Sequence, residues 1–490
     1  MPKLDGKKKV VTIVLALLGF AGIFLAAALP QIGYINQWIL AILLLAVDGL
    51  LIKNLNSFVG GYGAYLVATD KGLTLIDQIS GRFSAFWTEM SVWGMVLGFG
   101  VLAWPLMKGN LSKKTYLFGL FSIIVMLFVV LPYTANGLEF INLPQLQSAI
   151  QNHAASAPST GVPLFSYFVY GLTVITGFSG YIIVLLLYNA WQILYGIAVF
   201  FSSVVAGNPQ TSTLTNQVPG AAPIIPGVDI PLYAGIISLI ILLAVHELSH
   251  GILARIEKVR LKAVGMVLFG VIPIGAFVEP DEPQVMKLNP LRQTKIYAAG
   301  IASNFVAMLV FLVLMVVVLT YFLPGIYSNT VLVKSTVPGY PAYNALKPGM
   351  QILYWNGYKI NNLTSFVVAG ANDFANSTIT VVTNNGSFAF KAIAAGSGSN
   401  RGLIGVNVYE PLMSTFSAQL IYFLYSVFAL SFLLNFLVAV VNLLPVPLFD
   451  GWRIYKANVK NDRFTRFLAA LIVISLLINV LPWFFFALVK

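Results

Sequence analysis

The chain has 490 residues, 58% of them hydrophobic and only 9% charged, against about 25% charged in an average soluble domain, which excludes a water-soluble globular protein. Its formal net charge is +12, but Lys and Arg stand in short segments between apolar runs, a pattern that sets membrane orientation and calls for no nucleic-acid partner. With no cysteine and three histidines, disulfides, thiol catalysis and thiolate-bound zinc are excluded, so any metal site must be built from His, Asp and Glu. Runs of roughly 18–20 apolar residues recur along the chain. They predict a polytopic α-helical membrane protein of about 9–11 membrane segments, with the lipid bilayer as its solvent.

Residues 1–205 read as an N-terminal transmembrane region without an assigned role. Lys3, Lys7, Lys8 and Lys9 precede the apolar run 10–29, as in an uncleaved signal anchor with a cytoplasmic N-terminus. A second run covers 38–52, and Asp48 near its cytoplasmic end is expected within reach of water or Lys53. Residues 53–90 are Gly-rich, with Gly60-Gly61-Tyr62-Gly63 and an alternating stretch at 65–75, as in a re-entrant or interfacial element. Spans follow at 91–107 and 115–133, joined by Lys108, Lys113 and Lys114 on the inside. The segment 134–163 has no Lys or Arg and is expected outside, with His153 an ordinary exposed histidine. Separate apolar runs at 164–187 and 188–205 come next. The crossing count does not close: one more or one fewer crossing is needed between residues 30 and 90.

The first part of a membrane core spans 206–325. Residues 206–231 lack Lys and Arg and form an outer loop. The apolar run 232–253 then carries Val245-His246-Glu247-Leu248-Ser249-His250-Gly251. Residues i and i+4 on a helix lie about 40° apart around the axis, so both imidazoles face one way. Two such nitrogens suit one zinc ion, and Glu247 stands where His-Glu-x-x-His hydrolases keep their general base. The bland alternative is a pair of polar residues satisfying each other between packed helices. Arg255, Lys258, Arg260 and Lys262 fix the helix end in the cytoplasm, one or two turns from the motif. Gly265, Gly270, Pro273 and Gly275 punctuate β-type runs over 261–283, as in a hairpin able to take an extended substrate by strand addition or in a plain interfacial loop. The next span, 296–323, opens with Ala299-Gly300-Ile301-Ala302-Ser303-Asn304, small enough to pack closely on the motif helix.

A zinc site of two histidines and a water is one protein ligand short. After the apolar run 420–441 comes Asn442-Leu443-Leu444-Pro445-Val446-Pro447-Leu448-Phe449-Asp450-Gly451. Its prolines break the helix, and Arg453, Lys456, Lys460, Arg463 and Arg466 put Asp450 at the cytoplasmic end, on the side and at the depth of His246 and His250. Together with the final run, 413–490 forms the second part of the core. Glu279 or Glu282 would be the third ligand of a different type of membrane zinc protease.

These three motifs, in this order, resemble the site-2 protease family of intramembrane zinc metalloproteases over roughly residues 218–460. The resemblance implies one zinc ion on His246, His250 and Asp450, water activation by Glu247, and contact of Asn442 with substrate or the tetrahedral intermediate. Asn304, in the stretch similar to the family's Gly-x-x-x-Asn element, is a further candidate for substrate or oxyanion contact, or for structural support. The polar, strand-rich insert 326–412 resembles a PDZ domain of α+β type through Pro341-Ala342 to Ala345-Leu346-Lys347-Pro348-Gly349-Met350 and the tight turn Asn356-Gly357. Ala345 and Met350 depart from the usual Gly and Asp. The insert is expected outside, where three Asn-x-Ser/Thr sequons beginning at Asn362, Asn376 and Asn385 would be accessible. The implied function is zinc-dependent hydrolysis of membrane-protein substrates, in or near their transmembrane segments, in the plasma membrane. The active site would be near the cytoplasmic face, with a peptide or a substrate ectodomain at the PDZ-like insert. A metal-binding transporter or scaffold without proteolytic activity is the alternative reading.

Overall fold

The computed structural model describes residues 6–27, 34–107, 112–130, 162–215, 217, 219–220, 230–395 and 399–489. The apolar runs fold as helices because a backbone in lipid can satisfy its polar groups only within itself. Eight helices among the described residues are long and apolar enough to cross a bilayer. Helices α1 (Gly6–Ala27), α2 (Tyr34–Asn56), α3 (Asp70–Arg82), α4 (Ser84–Phe99), α5 (Lys113–Val125) and α6 (Val162–Val205) make up the N-terminal region. Helices α7 (Leu232–Ile256) and α8 (Pro290–Val317) follow. After a strand-rich unit containing α9 (Leu363–Gly370) come α10 (Phe416–Val441), α11 (Asp450–Asn458) and α12 (Asp462–Val489).

Three expectations change. The runs at 164–187 and 188–205 are one helix, α6, whose break is at Gly177 (φ 67°, ψ −168°). Nothing at 187–188 interrupts helical hydrogen bonding, whereas glycine alone adopts that backbone freely. Residues 53–90 form strands β1 (Gly60–Gly61) and β2 (Ala64–Ala68) and then the amphipathic helix α3. The alternation at 65–75 is therefore strand only as far as Ala68. Asp48 is not in reach of water: it is 6% exposed, packed against Gly19 of α1, and its Oδ2 has no partner among the described residues. His153, most of 134–163 and residues 221–229 lie outside the described residues.

The predicted hairpin is present as β3 (Leu261–Phe269) and β4 (Ile272–Pro280), antiparallel with Val264 opposite Val278 and Gly265 opposite Phe277. Strand β2 adds to it through Tyr65 opposite Leu268 and Val67 opposite Met266. The sheet runs β1-β2-β3-β4, so the N-terminal region covers the β3 side and β4 is, among the described residues, left as an edge. Ion pairs pin the ends of the helices around it. Arg255 Nε meets Asp77 Oδ1 of α3 at 2.7 Å, and Glu257 at the end of α7 binds Arg292 of α8.

Val313–Tyr425 forms a separate compact unit. Its six-stranded sheet has the order β12-β5-β6-β8-β9, with β7 hairpinned onto β6. These strands are β5 (Val331–Thr336), β6 (Gln351–Trp355), β7 (Tyr358–Lys359), β8 (Thr378–Thr383), β9 (Gly386–Lys391) and β12 (Val406–Tyr409). The short pair β10 (Ile393–Ala394) and β11 (Gly402–Leu403) stands apart from this sheet. Asn356 (φ 46°) and Gly357 (φ 81°) make the predicted tight turn between β6 and β7. Asn362 caps α9 reciprocally with Ser365. Beneath the sheet, Asp373 accepts from Trp355 Nε1 at 2.9 Å and Asn356 Nδ2 at 2.8 Å. Burial nonetheless pushes its carboxyl above the ordinary value, against these two bonds and Arg401.

Candidate metal centre

His246 and His250 sit on one face of α7, where the i,i+4 spacing puts them, with ring centroids 4.9 Å apart. Asp450 opens α11 and points one carboxylate oxygen back at both. His246 Nε2 and His250 Nε2 are 3.2 Å apart, and each is 3.2 Å from Asp450 Oδ2. This is the one His/Asp/Glu group among the described residues whose ligand atoms converge in this way.

The outer nitrogens decide what those contacts are. His250 Nδ1 lies 2.8 Å from the carbonyl oxygen of Ile296 on α8, an acceptor, so Nδ1 carries a proton, and in the neutral ring Nε2 keeps the lone pair. His246 Nδ1 lies 3.0 Å from the carboxamide of Asn304, whose Oδ1 has no partner among the described residues. Turned over, the carboxamide accepts from Nδ1–H, which satisfies the orphaned oxygen and frees His246 Nε2 in the same way. With both rings neutral, three electron pairs converge with no hydrogen between them, an arrangement that repels itself unless a cation joins it. Ligand atoms of a tetrahedral zinc with bonds of about 2.0–2.1 Å stand about 3.3–3.4 Å apart. The residues fit the group that the motif implies.

Gly300 makes room for this. A Cβ there would lie 2.4 Å from His250 Nε2 and 2.5 Å from His246 Cε1, so only glycine lets α8 come so close. The same gap leaves the second lone pair of the Ile296 carbonyl open to the imidazole. Ser249 Oγ and Ser303 Oγ, 3.0 Å apart, tie the two helices at this level. Gly300 and Asn304 are themselves four apart, so two i,i+4 pairs face each other across the helix contact. That spacing was readable in the sequence. The carbonyl of Ile296 and the Ser249–Ser303 contact carry no comparable signal.

Glu247 is turned about 100° from His246 into a cavity of about 200 Å³. Ile240, Leu243 and Ala244 of α7 face Ala276, Phe277 and Val278 of β4 across it. Its Oε2 accepts the Val278 N–H at 3.3 Å. Asn442 follows the last residue of α10; its carbonyl accepts from Gly451 N–H at 2.6 Å, and its side-chain amide has no hydrogen bond among the described residues. Neither rival ligand joins this group, and Glu279 pairs with Lys262 at 3.6 Å.

A His-His-Asp triangle next to a glutamate, in a polytopic helical chain, defines a membrane protein of the His-Glu-x-x-His class whose residues could hold a metal. The model of Peptidase family M50 matches residues 234–483, and the chain belongs to that family, the site-2 protease family of zinc metalloproteases. It is 30% identical over 249 residues to an uncharacterized protein of Methanocaldococcus jannaschii, covering 49% of this chain and 61% of that one. It is 29% identical over 192 residues to a membrane-bound transcription factor site-2 protease homolog of Arabidopsis thaliana, covering 38% of this chain and 35% of the relative. The chain thus spans less than two thirds of the length of either relative.

Proposed function

We propose that the chain is an intramembrane zinc metalloprotease that hydrolyses peptide bonds in or near transmembrane segments of membrane-protein substrates. The observation that carries this is the convergence of three ligand atoms at 3.2 Å spacing beside Glu247. His246, His250 and Asp450 would hold the zinc, which when bound polarises a peptide carbonyl and acidifies water. Glu247 takes the proton from the attacking water and returns it to the leaving amine. Asn304 keeps His246 in the ligating tautomer and so supports the metal rather than the substrate. Asn442, with an unengaged amide beside the ligand segment, is the candidate for substrate contact.

The substrate enters as a strand. Val278 N–H leaves the sheet on the Glu247 side, and by the two-residue period of a strand so does that of Ala276, which leaves β4 an open edge beside the base. The apolar walls of the cleft favour an apolar segment. A transmembrane helix must unwind to lie there, so substrates with helix-destabilising residues near a span end are expected. The distribution of Lys and Arg supports an active site near the cytoplasmic face, in a protein expected in the plasma membrane. It supports an outward position for the insert, which is PDZ-like in sequence. Within that insert a groove of about 320 Å³ between α9 and β12, with Arg401 among its lining residues, suits an extended peptide of the substrate.

The test is cleavage of a transmembrane reporter by the detergent-purified chain with and without a zinc chelator, alongside Glu247→Gln. Loss of cleavage in both, with zinc retained by the variant, is the expected result. Undiminished cleavage by Glu247→Gln would sink the assignment. Metal transport by the wild type without any peptide release would favour the transporter reading.

A further inference from the structure

The family match begins at residue 234, so α1–α6 lie outside it and nothing above gives them a part in the chemistry. The segment that delivers Asp450 supplies one. In a continued helix the carbonyls of Val441 and Leu443 would accept from residues 445 and 447, but both are proline and have no N–H. Val441 O is recovered within the segment by Leu444 N–H at 3.0 Å. Asn442 O, displaced from its helical donor, is recovered by Gly451 N–H at 2.6 Å. Leu443 O is not recovered locally. Its one donor among the described residues is Ser179 Oγ of α6, at 3.3 Å.

Ser179 is 1% exposed, and its hydroxyl also lies 2.9 Å from the hydroxyl of Tyr455. A serine has one hydrogen to give. Since it goes to Leu443 O, Tyr455 must be the donor in the second contact. The chain Tyr455 to Ser179 to Leu443 therefore joins α11, whose first residue is Asp450, to the unwound segment ahead of it. The break at Gly177, two residues before Ser179, brings that hydroxyl to its place. A Cβ at Gly177 would come within 2.3 Å of the Gly98 carbonyl on α4. From the same helix, Phe99 packs edge-on against the Tyr455 ring, with centroids 5.6 Å apart.

We propose that Ser179 and Tyr455 are positioning residues of the metal centre: by satisfying the carbonyl that Pro447 orphans, they hold the 442–450 turn in the shape that carries Asp450 to His246 and His250. The N-terminal spans then form part of the catalytic machinery rather than an appended anchor. This rests on Asp450 being a metal ligand.

The experiment uses the full chain in detergent with Ser179→Ala, Ser179→Thr and Tyr455→Phe. Each is measured by hydrogen exchange of the 442–455 peptide, by zinc retention against a chelator, and by kcat and KM on the transmembrane reporter. Ser179→Ala is expected to speed exchange and to lose zinc at about tenfold lower chelator, within the 10–100-fold range that outer supports of a metal site command. Its kcat should fall about tenfold or more while KM stays within about twofold. Ser179→Thr, which keeps the hydroxyl, restores all three readouts. Tyr455→Phe, which removes only the outer donor, shifts them in the same direction by less and covers the case in which Ser179→Ala does not fold. Exchange and zinc retention unchanged in Ser179→Ala overturn the proposal, and so does equal impairment of Ser179→Ala and Ser179→Thr. A wild type that neither binds zinc nor cleaves would instead overturn the function proposed above.

Discussion

Replacing Gly300 with Ala puts a methyl carbon into the metal centre itself. Its Cβ would stand 2.4 Å from His250 Nε2 and 2.7 Å from His246 Nε2, whereas relaxed contacts of carbon with other heavy atoms lie at about 3.5 Å. Relief requires about 1 Å of movement in the imidazoles or in α8. The helix cannot retreat freely, since Ser303 is bonded to Ser249 at 3.0 Å and Ala302 is fully buried. Metal ligands tolerate about ±0.2 Å, so the imidazoles give way and the triangle opens. Zinc affinity should fall by at least the 10–100-fold typical of a lost supporting residue, and the rate by about 10² for 1 Å of misplacement. Overall stability should change much less, because the helices stay packed on either side of the site. The assay is zinc content of the detergent-purified variant across a chelator titration, with thermal unfolding and reporter cleavage on the same sample. A Gly300→Ala protein that keeps one zinc at wild-type chelator concentrations and cleaves at more than half the wild-type rate would refute the close-approach argument.

Four further outcomes follow from the same geometry. Asp450→Ala should abolish zinc retention, while Glu279→Ala and Glu282→Ala keep it; zinc bound by Asp450→Ala would restore the rival ligand sets. Asn304→Ala should weaken zinc retention about 10–100-fold by releasing the His246 tautomer, with little change in KM; a change in KM alone would make Asn304 a substrate contact instead. Ala276→Pro removes an outward N–H from β4 and should cut kcat/KM at least about tenfold with zinc content unchanged, so undiminished cleavage would count against strand addition. Asp373→Ala leaves the Trp355 and Asn356 donors without their acceptor at a cost of about 2–4 kcal/mol, read as faster hydrogen exchange across β6 and β8; unaltered exchange would show that these bonds carry no weight.

Much of the site was legible because its chemistry obeys local rules. His246 and His250 share a helix face by periodicity, and the basic cluster at Arg255–Lys262 sets their depth. The Pro445 and Pro447 breaks, with the charges after them, give Asp450 the same depth from 200 residues away. Composition declared the bilayer, and the Gly and Pro punctuation of 261–283 declared the hairpin. The misreadings have equally physical causes. The run at 164–205 looks like two spans because hydropathy records length and not direction, and only the backbone at Gly177 locates the break. Asp48 looked solvated because its position in the span was visible and the α1 helix covering it was not.

What the sequence determined by itself was the candidate His-His-Asp set, the glutamate beside it and the apolar membrane setting, since these follow from residue type, spacing and charge along the chain. Tertiary structure alone decided the rest. It made Gly300 the gap that admits both imidazoles and turned the Ile296 carbonyl and Asn304 into the groups that fix their tautomers. It set β2 against β3, which leaves β4 as the edge beside Glu247, and it supplied Ser179 to a carbonyl that Pro447 had left bare. Apart from the Gly300–Asn304 spacing, these are contacts between elements distant in the chain, made largely through backbone atoms and hydroxyls, and so they leave no mark in the order of the amino acids.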